Sequence, residues 1–187
     1  MSEAHVKKEY TVFQVASNLI LACLFSGVII GVVYFFTAPI AVEKNEMIKQ
    51  QSMKELVKDA ETFTAVQGKE EWFAAEKSGK VIAYVVPGET KGYGGPIKMQ
   101  VAVTTDGKVI DYNIMSSNET PGLGDNAAKE PFKGQFKDKK AEHLAVVKDP
   151  SNKEDIQAMT GATISSKAVT KAVKEAVESV TAFAGGK

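Results

Sequence analysis

Apolar and polar residues follow three rhythms along this chain, and each rhythm predicts a different element. From Tyr10 to Val42 no residue is charged, and the run VASNLILACLFSGVIIGVVYFFTAPIAV is built mainly from Leu, Ile, Val, Phe and Ala. About twenty helical residues at ~1.5 Å each cross a hydrocarbon layer of roughly 30 Å, and this run is longer. It is apolar on every face, which suits lipid better than the one-sided core of a soluble domain. It also exceeds the apolar stretch of a cleaved signal peptide. The expectation is a tail and single-pass anchor over residues 1–42, followed by a separate domain over residues 43–187.

Beyond the anchor the rhythm changes. Residues 43–63, EKNEMIKQQSMKELVKDAETF, predict an amphipathic helix with an apolar stripe of Met47, Ile48, Met53, Leu56, Val57 and Ala60. A two-residue rhythm then takes over. EWFAAEKSGKVIAYVVPG predicts a hairpin turning near Ser78-Gly79, and PIKMQVAVTTDGKVIDYNIM a second one turning at Asp106-Gly107. The glycine-rich segments ETKGYGGPI and SSNETPGLGDNAAKEPF follow the first and second hairpins. A short helix near PFKGQFKDKK, a strand in HLAVVK and a polar turn in DPSNKEDI come next. The last segment carries Val169, Val173, Ala176, Val177 and Val180 at helical spacing. This order of elements predicts an α+β domain, with helices packed on an antiparallel sheet.

Composition narrows the chemistry. The 187 residues contain 23 acidic and 23 basic side chains, and every basic one is Lys. A neutral chain without arginine lacks the electrostatic footprint and bidentate forks of nucleic-acid binders. Its one cysteine, Cys23, lies in the apolar run, so cysteine usage does not report the redox compartment. His5 and His143 are far apart, and no CxxC, HExxH or Cys/His cluster occurs. No metal site is expected, and a Ser-His-Asp triad has only His143 to draw on, without a nucleophile-elbow sequence. Any chemistry here calls for an organic cofactor. Orientation stays open at this stage: Lys7 and Lys8 precede the anchor, but Lys44, Lys49, Lys54 and Lys58 follow it. Gly27 and Gly31 form a GxxxG, a spacing that lets membrane helices pack closely.

The segment MTGATISSKAV, Met159 to Val169, places four hydroxyls before the final helix. One reading is an N-cap formed by Thr163, Ser165 or Ser166, contributing about 1 kcal/mol. The other is an anion site. A helix start offers unpaired N–H groups and the positive end of its dipole to a phosphate, while Gly161 and Ala162 keep the approach open.

Thr160-Gly161-Ala162-Thr163 resembles the [S/T]-G-A-[S/T] motif of the FMN-binding domain in the Rnf complex G subunit and in the C subunit of sodium-pumping NADH:quinone reductase. The segment Glu119-Thr120-Pro121-Gly122-Leu123-Gly124 resembles that family's second signature, and KGYGGPIKM its glycine-rich segment. Motif order, length and the anchor agree. Many G subunits have His two residues before the Glu, where this chain has Ser117. The short chain favours the Rnf type.

The resemblance implies FMN held covalently through a phosphoester to Thr163, so that the chain is modified as a phosphoprotein. Thr160, Gly161, Ala162, Ser165 and Ser166 would surround the phosphate. Glu119, Thr120, Gly122, Leu123 and Tyr93 would form the ring pocket. It further implies an electron-transfer subunit of a redox-driven ion translocase, not a stand-alone catalyst. Its partners would be the other membrane subunits of a ferredoxin:NAD⁺ oxidoreductase and an ApbE-type flavin transferase using FAD and Mg²⁺. The FMN-binding domain would face the extracytoplasmic side of the cell membrane. Two rival classes keep both loops as turns: a membrane-anchored, non-redox binding or assembly subunit, and a surface hydrolase using a hydroxyl nucleophile.

Overall fold

The computed structural model describes residues 11–185; the tail carrying His5, Lys7 and Lys8 lies outside them. Helix α1 runs Val12–Leu56 and α2 runs Thr163–Gly185. The strands are β1 Thr62–Ala65, β2 Phe73–Lys77, β3 Lys80–Lys91, β4 Pro96–Thr104, β5 Val109–Ser116, β6 Val146–Val147 and β7 Ile156–Gln157. The chain divides into two units, residues 1–48 and 49–187. Within the first, α1 supplies the one helix among the described residues that is long and apolar enough to cross a membrane.

In the second unit, β1 to β5 form an antiparallel sheet in sequence order. Period-two side-chain alternation gives this sheet two covered faces. Tyr84, Val86, Met99, Val101, Val103 and Tyr112 point to one face, against Val169, Val173 and Val177 of α2. Ala75, Ala83, Val85 and Ala102 point to the other, against Met53, Leu56 and Val57. Small residues dominate this second face, where the end of α1 lies close, whereas the α2 side takes Tyr and Met. The α2 face continues into an aromatic corner, where Phe136 packs edge-on to both Tyr112 and Phe132.

Both hairpins turn where the two-residue rhythm breaks. At Ser78-Gly79 both residues take positive φ, 52° and 74°, as a tight turn matched to strand twist requires. Several expectations change. The amphipathic segment is helical only as far as Leu56 and is part of α1, which runs through Pro39 without ending. β3 extends three residues past Gly88, held by the pairs Glu89↔Lys98, Thr90↔Ile97 and Lys91↔Pro96. The loop to β4 is thereby shortened to Gly92–Gly95. β1 forms within a stretch assigned in part to the helix, because its largely exposed TFTA has no alternating apolar signal and is defined by pairing with β2. The strand in HLAVVK shrinks to Val146–Val147, whose parallel partner is Ile156–Gln157, partly inside the expected polar turn. The short helix is one 3₁₀ turn, Lys133–Phe136.

Candidate functional site

Three segments converge beside the start of α2. The first is the Gly92–Gly95 loop, closed by Gly92 N–H donating to the Gly95 carbonyl at 2.8 Å. The second follows β5. Here the Thr120 carbonyl accepts from Leu123 N–H at 3.1 Å and from Asp125 N–H at 3.4 Å, bending the chain into the 3₁₀ turn Gly124–Ala128. Asn126 ties down the bend through Nδ2 to the Gly122 carbonyl, 2.8 Å, and Lys129 pairs with Asp125 at 2.7 Å. That lysine holds the Asp125 carboxyl below its ordinary value. The third segment is the threonine turn. Gly161 takes φ 76°, and a Cβ there would lie 3.2 Å from the Leu123 side chain.

Between them lies a cleft of about 770 Å³, lined by Tyr93, Glu119, Thr120, Leu123, Gly124, Lys148 and the run Gly161 to Ser165. Tyr93 is 72% exposed, Ile164 57% and Leu123 43%, so one part of the cleft is an apolar, half-open surface. The other part is the beginning of α2. The first intrahelical bond is Ser166 N–H to the Ala162 carbonyl, 2.9 Å. The N–H groups of Thr163, Ile164 and Ser165 precede it and are the orphan donors of the helix start.

The four hydroxyls separate sharply. Ser166 is fully buried, donates to the Ala162 carbonyl at 2.9 Å and accepts from Met159 N–H at 3.0 Å. It acts as the local brace of the turn. Ser165 donates to Glu119 Oε2. Thr160 is exposed and does not line the cleft. Thr163 lines the cleft, is half-buried, and its hydroxyl makes no hydrogen bond among the described residues.

Of the residues singled out from sequence, Tyr93, Glu119, Thr120, Leu123, Gly161, Ala162, Thr163 and Ser165 come together here. Thr160, Ser166 and Gly122 do not line the cleft; Gly122 shapes the bend at φ 77°. Sequence reasoning missed Lys148 and Ile164. Lys148 follows a two-residue strand and carries no local signal. Ile164 does carry one: it is a large apolar side chain off the buried face of α2.

Comparison with known proteins agrees with this geometry. Residues 92–178, which contain most of the cleft, match the FMN-binding domain. The G subunit of the proton-translocating ferredoxin:NAD⁺ oxidoreductase complex of Clostridium ljungdahlii is 60% identical over 97% of this chain and 98% of its own. The G subunit of the Na⁺-translocating complex of Acetobacterium woodii is 30% identical, over 89% of this chain and 90% of its own. Among solved structures, the C subunit of the Na⁺-translocating NADH-quinone reductase of Parabacteroides distasonis superposes with a TM-score of 0.50 at 26% identity. That match covers 60% of this chain and 61% of that one. The Shewanella oneidensis NqrC, at 20% identity and TM-score 0.52 over 70% and 74% of the two chains, shares the fold.

The residues present fit FMN. A phosphate suits the orphan N–H groups at the start of α2 together with Lys148, the one basic side chain lining the cleft among the described residues. A flat, partly apolar ring suits Tyr93, Leu123 and Ile164. The chain belongs to the G-subunit family of ion-translocating ferredoxin:NAD⁺ oxidoreductase complexes, with an FMN-binding domain at residues 92–178 and FMN as its cofactor.

Proposed function

We propose that this chain is a membrane-anchored electron relay carrying FMN as a phosphoester on Thr163, within an Rnf-type complex that couples electron transfer to ion translocation. One observation carries the attachment site. Within the run Thr160 to Ser166, Thr163 is the hydroxyl that both lines the cleft and lacks an internal partner, whereas the two serines are hydrogen-bonded within the protein. The family membership supports the cofactor and the complex.

In this reading residues 1–42 anchor the protein in the cell membrane, and residues 43–187 stand on the extracytoplasmic side. Thr163 Oγ attacks the FMN phosphorus of FAD. The Oγ–P bond forms, the diphosphate P–O bond breaks, AMP leaves, and the hydroxyl proton passes to a base of an ApbE-type flavin transferase with its Mg²⁺. The N–H groups of Thr163, Ile164 and Ser165 would hold the phosphate, and Lys148 would balance its charge. The helix dipole adds about 0.3–1 kcal/mol, a modest term beside a covalent bond.

Tyr93, Leu123 and Ile164 provide the ring surface, and Thr120 offers a hydroxyl at the cleft wall. Bound FMN supplies reversible one- and two-electron chemistry. Among the described residues, the one carboxylate lining the cleft, Glu119, is committed to protein donors. A half-open ring site whose carboxylate is so occupied suits exchange of electrons with other membrane subunits.

The test is in-gel flavin fluorescence after denaturing electrophoresis, with the full chain coexpressed with the transferase. Wild type is expected to fluoresce and Thr163→Ala to be dark. A dark wild-type band, while the transferase labels a known substrate in parallel, overturns the covalent reading and favours a non-redox assembly role. Fluorescence in both bands moves the attachment elsewhere.

A further inference from the structure

Glu119 is the most confined charged group at the site. It is 8% exposed, and its two carboxylate oxygens hold two segments distant in sequence. Oε1 accepts from Gly94 N–H at 2.8 Å, and Oε2 accepts from the Ser165 hydroxyl, 46 residues along the chain. A buried carboxylate is costly unless such donors surround it, and donors to an ionised acceptor make the stronger class of hydrogen bond.

The backbone is built around this group. A Cβ at Gly92 or at Gly124 would come closer than 3.0 Å to the Glu119 carboxylate, and one at Gly124 also to Ser165 Oγ. A Cβ at Gly94 would collide with the Asn118 carbonyl. Three glycines from two loops thus leave room for one side chain and its anchor residue.

We propose that Glu119 is the positioning and selectivity residue of the flavin site, a role that rests on the phosphoester reading above. Its carboxylate fastens the Tyr93 loop to the start of α2, which sets the two walls of the cleft. It also withdraws the Ser165 hydroxyl, which is 2% exposed, from those available for phosphoryl transfer. Thr163 is left as the acceptor. Ser165 belongs to the same helical turn and lines the same cleft, so only its hydrogen bond and burial distinguish it from a second acceptor. Without Glu119 the serine side chain is free to rotate to another staggered position.

The experiment uses the full chain coexpressed with the transferase, as wild type, Glu119→Ala, Thr163→Ala, the Glu119→Ala/Thr163→Ala double variant and Glu119→Gln. Flavin is located by peptide mass, and amide exchange at Gly94 is followed on chains made without the transferase. Thr163→Ala is expected to carry no flavin, and the double variant to regain it on Ser165. Gly94 exchange is expected to quicken about tenfold or more in Glu119→Ala, since the amide loses its acceptor.

A double variant that melts cooperatively yet carries no flavin overturns the selectivity role. Unchanged Gly94 exchange in a folded Glu119→Ala overturns the positioning role. If the alanine variants do not fold, Glu119→Gln carries both tests. It keeps the volume but offers one oxygen where the carboxylate offers two, so either Gly94 N–H or the Ser165 hydroxyl loses its acceptor. Faster Gly94 exchange or detectable flavin on Ser165 is expected, and the absence of both rejects the proposal. Wild type without flavin at Thr163 removes the phosphoester reading instead, while Gly94 exchange still decides whether Glu119 holds the loop.

Discussion

Gly122 and Gly124 look equivalent in the segment PGLG, yet the structure predicts opposite mechanisms and unequal penalties when each becomes alanine. At Gly122 the obstacle is the backbone: φ is 77°, and no atom lies within 4 Å of an added Cβ. A left-handed non-glycine residue costs roughly 1–2 kcal/mol. At Gly124 the obstacle is packing against the buried carboxylate, with Glu119 Oε2, Ser165 Oγ and Glu119 Cβ all closer than 3.0 Å to the new methyl group. Overpacking costs roughly 1–3 kcal/mol. Displacing Glu119 from one of its two donors adds about 1.5–3 kcal/mol, the range for hydrogen bonds to charged groups.

The expected loss for Gly124→Ala is therefore about 2.5–6 kcal/mol. For a unit of this size each kcal/mol lowers the melting midpoint by roughly 3–5 °C, so the drop is on the order of 8–30 °C. Gly122→Ala should fall by about 3–10 °C. The assay is thermal unfolding of the full chain in detergent, followed by far-UV circular dichroism and intrinsic fluorescence. Equal midpoints for the two variants, or a milder effect at Gly124, would refute the account of Glu119 as a tightly enclosed clasp.

Tyr112 is fully buried and its phenol donates to the Ala127 carbonyl. Tyr112→Phe should cost about 1–1.5 kcal/mol in a chemical-denaturation curve with unchanged slope. The same burial pushes the phenol above its ordinary value, led by desolvation and reinforced by Asp111 and Glu130. In ultraviolet titration Tyr112 should be absent from the ordinary alkaline step of the tyrosines until the domain unfolds. Asp125 is held below the ordinary carboxylate value, first by the hydrogen bond from Lys129. Its stabilising contribution is accordingly complete above the unfolded value and disappears as pH falls through the lower folded one. Asp125→Asn should melt earlier than wild type at neutral pH, and the gap should close under strong acidity; a gap independent of pH rejects the pairing. For topology, a reporter fused after Lys187 that is active only in the cytoplasm should remain silent if the domain is extracytoplasmic.

Much of the molecule was legible in local pattern. The uncharged run from Tyr10 to Val42 predicts an apolar helix, and α1 is long and apolar enough to cross a membrane, while the period-two segments with Ser78-Gly79 and Asp106-Gly107 between them define both hairpins. These features are local, because side-chain alternation and turn geometry act over a few residues. The motif residues Thr120 and Leu123 in one segment and Thr163 in another line one cleft. What the sequence could not assign was the role of each hydroxyl and carboxylate. Thr160, Thr163, Ser165 and Ser166 share one chemistry, and they differ only in what the folded chain sets beside them. Ser166 meets a carbonyl in its own turn, Ser165 meets a carboxylate 46 residues away, and Thr163 meets the open cleft. Lys148 joins the site because the β6–β7 pairing, a two-residue parallel contact with no period of its own, brings its segment alongside. Local patterning therefore determined the elements and the motif positions. Only tertiary packing decided which polar atoms are consumed internally and which remain for a ligand, because hydrogen-bond partners distant in sequence leave no trace in the spacing of either residue.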